Sequence, residues 1–203
     1  MKKNLIVSLG RQYGSGGRQL GKRLAELLGI RYLDKELLVE MSKQSGMDVE
    51  YLMRQDEQAP GFLDYALIGR YGTNRPFGAS QNFQLLSETL QKIAAEGPCL
   101  VVGRAADYVL RREPGLVKIF VHAPHSCRIR TVARRLNISP EEAERIISRT
   151  DRERSRFYDF FTDKTWGEAP SYDLSIDITK LGEEGTAQLL AEYVRRRMEE
   201  NAK

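Results

Sequence analysis

Glycine residues are concentrated where the first apolar stretch of the chain ends. Four glycines lie within eight residues of the stretch GRQYGSGGR, and an amphipathic segment follows them. Successive backbone N–H groups in a glycine-rich turn bind anions, and the N-terminus of a helix adds a positive dipole end. The turn is therefore typical of a site that binds phosphate groups, and its predicted nucleotide-binding residues are Gly10, Gly14, Ser15, Gly16 and Gly17.

The cation expected in such a turn is missing from its usual position. The phosphate-binding consensus is G-x-x-x-x-G-K-[ST], in which the lysine contacts the phosphates and the hydroxyl contacts Mg²⁺. Counted from the helix, Gly17 stands at the place of the lysine, although a local bulge would bring Arg18 there. Gln19 stands where the hydroxyl would be. We predict that Arg18 grips phosphate as a planar fork; the alternative is a plain strand–helix connection with a surface arginine.

Charged residues also follow two later apolar stretches. Asp34 and Lys35 follow IRYL, and Arg104 follows CLVVG, with Asp107 one helical turn further on. In an open parallel sheet, ligands bind outside the carboxyl ends of the strands. We therefore predict that Arg104 points into a ligand crevice and that Gly103 allows close approach of a ligand. The alternatives are that Asp34 caps a helix and that Arg104 is a surface charge.

An arginine-rich helical segment covers residues 126–162. Arginines that close over a transferring phosphoryl group neutralise its charge and exclude water. A salt-bridged helical hairpin is the expected role of most of them, with three or four reaching a ligand. The arginines, interleaved with Asp151 and Glu153, are Arg128, Arg130, Arg134, Arg135, Arg145, Arg149, Arg152, Arg154 and Arg156.

These residues must be positioned by alternating strands and helices. Short apolar runs predict strands over 4–9, 30–34, 98–103, 117–122 and 172–178, and helical spacing predicts helices over 18–28, 35–44, 83–96 and 183–200. Gly29 and Gly46 are typical of helix ends, whereas Ser139, Pro140 and Glu142 are typical of a helix start. Residues 59–80 lack periodicity and are interpreted as a flexible excursion. The alternation predicts an α/β fold with a parallel sheet of about five strands and helices on both faces.

The composition excludes several classes of function. The chain has 203 residues, 41% hydrophobic and 30% charged, and its 32 basic against 28 acidic residues describe a mixed surface with no nucleic-acid arm. Cys99 and Cys127 form no metal or disulfide pattern, and no stretch approaches the ~20 apolar residues of a membrane span. We expect a cytoplasmic protein with no nucleic-acid or membrane partner; the sequence leaves homo-oligomerisation open.

In combination these motifs make the chain similar to the cytidylate kinase-like family, a branch of the nucleoside monophosphate kinases with the P-loop fold. The resemblance runs from VSLGRQYGSGGRQLGKRLAELLGIRYLDKELL through PCLVVGRAADYVL to DRERSRFYDFFTDKTWGEAPSYDLSID. It implies a three-layer kinase-like domain over residues 1–203. Within it, the core would be 1–34, 97–127 and 163–203, an acceptor-binding excursion 35–96, and an arginine-rich helical lid 128–162.

The resemblance also implies roles for individual residues. Residues 14–18 would wrap the donor phosphates, and Arg128 would stack on the donor adenine. Asp34, Arg104 and Asp107 would bind the acceptor, although one extra residue separates Arg104 from Asp107. The implied catalytic residues are Arg18, Arg149, Asp151 and Arg154, with Thr150 interrupting the family's Arg-Asp pattern.

The implied reaction is ATP- and Mg²⁺-dependent phosphoryl transfer to a nucleoside monophosphate, CMP or dCMP first. The implied partners are a nucleotide donor and a small-molecule acceptor. No residue is assigned to the metal, because the P-loop lysine and its hydroxyl neighbour are missing; ATP itself would carry Mg²⁺. Two alternatives remain. One is a kinase for another small acceptor, gripped by Arg70 and Arg75 in the excursion. The other is a nucleotide-binding sensor without catalysis.

Overall fold

The sheet is parallel and five-stranded in the part of the chain that the structure, a computed structural model, describes: residues 5–46, 50 and 77–200. The strands lie in the order β2-β3-β1-β4-β5, and each pairs in parallel with its neighbours. This confirms the predicted sheet. The bounds of the strands are β1 Ile6–Arg11, β2 Arg31–Leu33, β3 Cys99–Val102, β4 Leu116–His122 and β5 Leu174–Asp177.

Helices cover both faces of this sheet, as predicted. Alternate residues of a strand point to opposite faces, so Val7 and Leu9 pack with α1 and α7 in one core. Ile6 packs with α2 and α3 in a second core on the other face. The helices are α1 Gly17–Leu28, α2 Glu36–Ser45, α3 Phe77–Glu96, α4 Ala106–Val109, α5 His125–Leu136, α6 Pro140–Phe161 and α7 Gly182–Glu200, with a 3₁₀ turn at Ala169–Ser171.

Several helix ends follow the predicted signals. Gly29 and Gly46 adopt left-handed backbone conformations directly after α1 and α2. Ser139 caps α6, because its Oγ accepts a hydrogen bond from the Glu142 N–H at 3.2 Å. These ends were predictable because each depends on residues within one turn of the chain.

Several predicted boundaries are wrong, among them the start of α3 and the end of β1. The excursion was expected to stay irregular to residue 80, but α3 begins at Phe77. Because Leu86 and Leu90 anchor this helix in the core, extending it backwards over residues 77–82 costs little once it is nucleated. β1 also continues two residues beyond its predicted end, to Arg11. The rest of the excursion, with Arg70 and Arg75, lies outside the described residues.

Candidate active site

The glycine turn, residues 10–17, leads directly from β1 into α1. Gly14 and Gly16 have left-handed backbone conformations, with φ of 77° and 87°, which glycine adopts without steric penalty. The Ser15 hydroxyl donates to the Gln12 carbonyl at 2.8 Å and accepts from the Gly17 N–H at 3.3 Å. The turn therefore wraps around the N-terminus of α1, where N–H groups without intrahelical acceptors point outward.

Gly10 lies in the strand and packs against aromatic rings. A Cβ atom at this position would lie 2.8 Å from the Phe120 ring and 3.3 Å from the Tyr172 ring. Phe120 also contacts Trp166 edge to face, with ring centroids 5.3 Å apart. The structure thus assigns Gly10 a packing role; nucleotide contact by Gly10 stays a prediction.

Arg11 is the functional candidate that the sequence analysis missed. Its side chain passes Gly17 and crosses the end of β3, because a Cβ on Gly17 would lie 2.7 Å from Arg11 Cβ and a Cβ on Gly103 1.9 Å from Arg11 Nη1. The side chain is 16% exposed, and Nη2 lies 4.0 Å from Asp34 Oδ1. The space expected for a ligand at Gly103 is therefore occupied by a guanidinium.

Arg18 and Asp34 form an ion pair at the end of β2. Arg18 Nε lies 2.6 Å from Asp34 Oδ2, and the Arg18 side chain is 54% exposed whereas that of Asp34 is 7% exposed. The Asp34 N–H donates to Glu36 Oε2 at 3.0 Å. Lys35, not Asp34, is the residue before α2, and no side chain caps that helix. The helix-capping alternative for Asp34 is therefore wrong, and its role in acceptor binding stays a prediction.

The chain turns sharply after β3. Gly103, Arg104 and Ala105 have consecutive positive φ angles of 73°, 59° and 51°. For a residue other than glycine, such a conformation costs about 1–3 kcal/mol and persists where the surrounding structure enforces it. This turn brings Arg104 to the carboxyl edge of the sheet, close enough to Arg11 for their charges to interact.

An excess of positive charge surrounds Asp34. Burial and the positive charges of Arg154, Arg104 and Arg18 together lower the pKa of the Arg11 guanidinium to about 9, while Asp34 opposes the shift. Burial also lowers the pKa of Arg154. We call this set, Arg11, Arg18, Arg104, Arg154 and Asp34, the arginine cluster. Within the described residues, four guanidinium groups lie near the Asp34 carboxylate, with Asp151 as a second carboxylate beside Arg154, and such a concentration of positive charge favours binding of an anion.

Helix α6 is fastened to the backbone of the glycine turn. The Tyr13 N–H donates to Asp151 Oδ1 at 2.8 Å, and Arg154 Nη1 donates to the Arg11 carbonyl at 2.9 Å. Arg128 Nη1 donates both to Asp151 Oδ2 and to the Tyr13 carbonyl. Asp151 and Arg154 are thus brought to the turn, as the lid prediction requires.

Three predicted site residues lie apart from the cluster. Arg128 is 7% exposed and pairs with Asp151, so it ties α5 to α6. Arg149 is 68% exposed and pairs with Glu153 at 2.9 Å. Asp107 is buried and accepts a hydrogen bond from the Tyr158 hydroxyl at 2.6 Å; burial raises the pKa of its carboxyl. Their predicted roles in adenine stacking, phosphate clamping and acceptor binding stay predictions, as does that of the exposed Gln19.

Over the described ranges, no group of three or more His, Cys, Asp or Glu side chains is arranged to hold a metal ion. None of the helices in those ranges is long and apolar enough to cross a membrane.

The fold is that of small kinases. An uncharacterized protein from Eubacterium ventriosum has a similar structure, with a TM-score of 0.71 and 22% identity over 94% of this chain and 98% of that one. The shikimate kinase of Bacteroides thetaiotaomicron is similar with a TM-score of 0.54 and 13% identity, again over 94% and 98% of the two chains. At these identities the similarity establishes the fold alone.

The sequence establishes the family. The model of the cytidylate kinase-like family matches residues 6–180, and the chain belongs to that family. The cytidylate kinase of Methanopyrus kandleri is 26% identical over 200 residues, covering 92% of this chain and 91% of that protein. These findings support a nucleoside monophosphate kinase family, and the predicted resemblance is confirmed.

Proposed function

We propose that this protein transfers the γ-phosphoryl group of ATP to a nucleoside monophosphate, CMP or dCMP first, giving the diphosphate and ADP. The observation that carries the proposal is the arginine cluster at the carboxyl ends of β1, β2 and β3, beneath α6. Phosphoryl transfer spreads negative charge over the transferring oxygens, so catalysis depends mainly on positioning and charge neutralisation. A cluster with an excess of guanidinium groups supplies both.

The strand order supports separate binding places for the two proposed substrates. β3 lies between β1 and β2, and neighbouring strands are about 4.8 Å apart, so the ends of β1 and β2 are about 10 Å apart. The donor phosphates would bind at the glycine turn and the N-terminus of α1. The acceptor would bind at the end of β2, beside Asp34 and Arg18. Arg11 spans the distance between them.

The residues of the turn fit ATP better than they fit a metal ion alone. Gly14 and Gly16 have left-handed backbone conformations, and backbone N–H groups in such turns would bind phosphate oxygens. Asp34, the carboxylate of the cluster, is engaged by Arg18, so Mg²⁺ would be held by ATP and water. When bound, Mg²⁺ would neutralise phosphate charge. The protein itself would orient the phosphates and, through α6, exclude water.

An ADP-release assay tests the proposal. The four ribonucleoside monophosphates and dCMP are supplied in turn with MgATP, and ADP release without acceptor is subtracted as the control. We expect acceptor-dependent turnover, highest with CMP or dCMP. Failure of every acceptor to raise ADP release above the control would refute the proposal, and a preference for AMP, GMP or UMP would refute its choice of acceptor.

One observation favours a second candidate, a nucleotide-binding sensor. Gly17, the first residue of α1, stands at the lysine place of the consensus. A protein without that cation could bind ATP and not transfer its phosphoryl group. Isothermal titration with MgATP that gives saturable binding, together with no acceptor-dependent turnover, would favour the sensor over the kinase.

A further inference from the structure

We infer that Arg11 supplies the buried cation of the phosphate site, in the place that a lysine at residue 17 would otherwise fill. This inference rests on the proposed function, since it names the residue that would hold the transferring phosphate. It assigns the lysine's task to Arg11, which lies at the end of β1. The sequence analysis had predicted Arg18 for this task.

The first argument is steric. A Cβ atom on Gly17 would lie 2.7 Å from Arg11 Cβ and 3.2 Å from Arg11 Cγ, closer than packed carbon atoms approach. A lysine at residue 17 would therefore begin in the space that the Arg11 side chain occupies. This space can hold the side chain of Arg11 or that of a lysine at residue 17, but not both. In this chain the Arg11 side chain occupies the space, because Gly17 and Gly103 have no side chains to block it.

The second argument is electrostatic. Asp34 makes its close contact, 2.6 Å, with Arg18, and lies 4.0 Å from Arg11. Arg104 and Arg154 add positive charge around the same guanidinium. Among the described residues this buried cation has only the distant Asp34 carboxylate to compensate it, which is costly, and phosphate oxygens would supply further negative charge. Arg18 is more than half exposed and already paired, which suits contact with the acceptor.

The third argument is positional. The Arg11 carbonyl accepts the hydrogen bond of Arg154 from α6, and the side chain of the same residue reaches the ends of β3 and β2. Arg11 therefore lies at the centre of the crevice, with the glycine turn on one side and Asp34 on the other. Arginine at such a place binds two phosphate oxygens through parallel hydrogen bonds.

A swap of the cation between the two positions tests the inference. The variants are Arg11→Gly, Gly17→Lys and the double variant Arg11→Gly/Gly17→Lys. Binding is measured by isothermal titration with MgATP and with tripolyphosphate, and turnover by acceptor-dependent ADP release. We expect each single change to weaken tripolyphosphate binding at least tenfold, the first by removing the cation and the second by displacing it. The double variant should recover most of that loss.

A second variant keeps the test sharp if the swap disturbs folding. Arg11→Met keeps the aliphatic part of the side chain and removes the charge, and Arg23→Met is the control because Arg23 lies on α1 in a surface ion pair with Glu184. We expect Arg11→Met to lose at least tenfold in tripolyphosphate affinity and Arg23→Met to bind normally. Normal binding by Arg11→Met, or a double variant no better than either single one, would overturn the inference.

The same measurements separate this inference from the proposed function. If the unmodified protein turns over no nucleoside monophosphate but its tripolyphosphate binding depends on Arg11, the proposed function fails and the inference stands. If the protein turns over CMP and Arg11→Met retains both binding and turnover, the inference fails and the proposed function stands.

Discussion

The ion pair between Arg128 and Asp151 gives a sharp prediction about stability. The side chains are 9% and 16% exposed, and within the described part of the chain Arg128 Nε has no hydrogen-bond partner. Asp151→Asn removes the negative charge but keeps an oxygen that can accept the Tyr13 N–H. Arg128 would then keep the Tyr13 carbonyl as a partner, without a compensating carboxylate.

The expected loss of stability follows from how deeply the ion pair is buried. Removing one partner of a fully buried ion pair costs about 3–5 kcal/mol. This pair is partly exposed and the amide retains one hydrogen bond, so we expect Asp151→Asn to lower the free energy of unfolding by about 2 kcal/mol. For a domain of this size that corresponds to a melting temperature lower by about 4–8 °C.

Urea unfolding of four proteins measures the effect: wild type, Asp151→Asn, Arg128→Met and the double variant. The double variant removes both charges, so it should be more stable than the sum of the two single losses predicts. An Asp151→Asn protein within about 0.5 kcal/mol of wild type would refute the reasoning, because a change of that size is typical of surface sites. Additive losses in the double variant would refute the coupling.

Three further predictions concern other parts of the site. Arg18→Ala should raise the KM for the acceptor more than that for ATP in steady-state kinetics, because Arg18 lies at Asp34; equal effects would contradict this. Gly14→Ala should lower the free energy of unfolding in urea more than Gly46→Ala does. Both glycines have positive φ, but among the described residues only the Cβ added at Gly14 would meet a neighbour, Val132 at 2.8 Å. Burial raises the pKa of Asp107, so its stabilising contribution is complete below its usual pKa of 3.8 and is lost as pH rises through the raised value. In the Asp107→Asn variant, the free energy of unfolding should therefore fall less steeply than in the wild type as pH rises from 4 to 8. A pH dependence parallel to that of the wild type would contradict this prediction.

The sequence predicted the framework well because the framework depends on local patterns. Runs of five to seven residues rich in apolar side chains predicted the strands, and their alternation with helices predicted the parallel sheet and its carboxyl edge. Gly29 and Ser139 specified helix ends through hydrogen bonds within one turn. Asp34 was predicted at the crevice for the same reason: it directly follows a strand.

The contents of the crevice depended on contacts between distant segments. The Arg11 side chain passes both Gly17 and Gly103, which are far apart in the sequence and come together only on folding. In the sequence, Gly17 was explained by the phosphate-binding turn and Gly103 by close approach of a ligand, so neither pointed to Arg11. The signal that was available is the repeated Gly-Arg pair, Gly10-Arg11 and Gly103-Arg104, at the ends of two strands. Because the first pair was interpreted as the start of a loop, its arginine was not considered.

Burial of polar residues was equally hard to foresee. Arg128 and Asp107 have polar side chains in amphipathic segments, where solvent exposure is the usual expectation. Their partners, Asp151 and Tyr158, both lie on α6. Only the docking of that helix shows that these polar groups are internal, so sequence patterns around each residue could not reveal it.

The packing beneath the glycine turn gives the protein an intrinsic optical reporter. The chain has one tryptophan, Trp166, whose ring contacts Phe120, and Phe120 lies against Gly10 at the start of the turn. The backbone N–H of Trp166 donates to Asp159 of α6 at 2.9 Å. Tryptophan emission therefore comes from a single fluorophore that touches both the support of the turn and the helix above it. We therefore expect a ligand that alters the turn or the position of α6 to change this emission, which can be measured without attaching a dye.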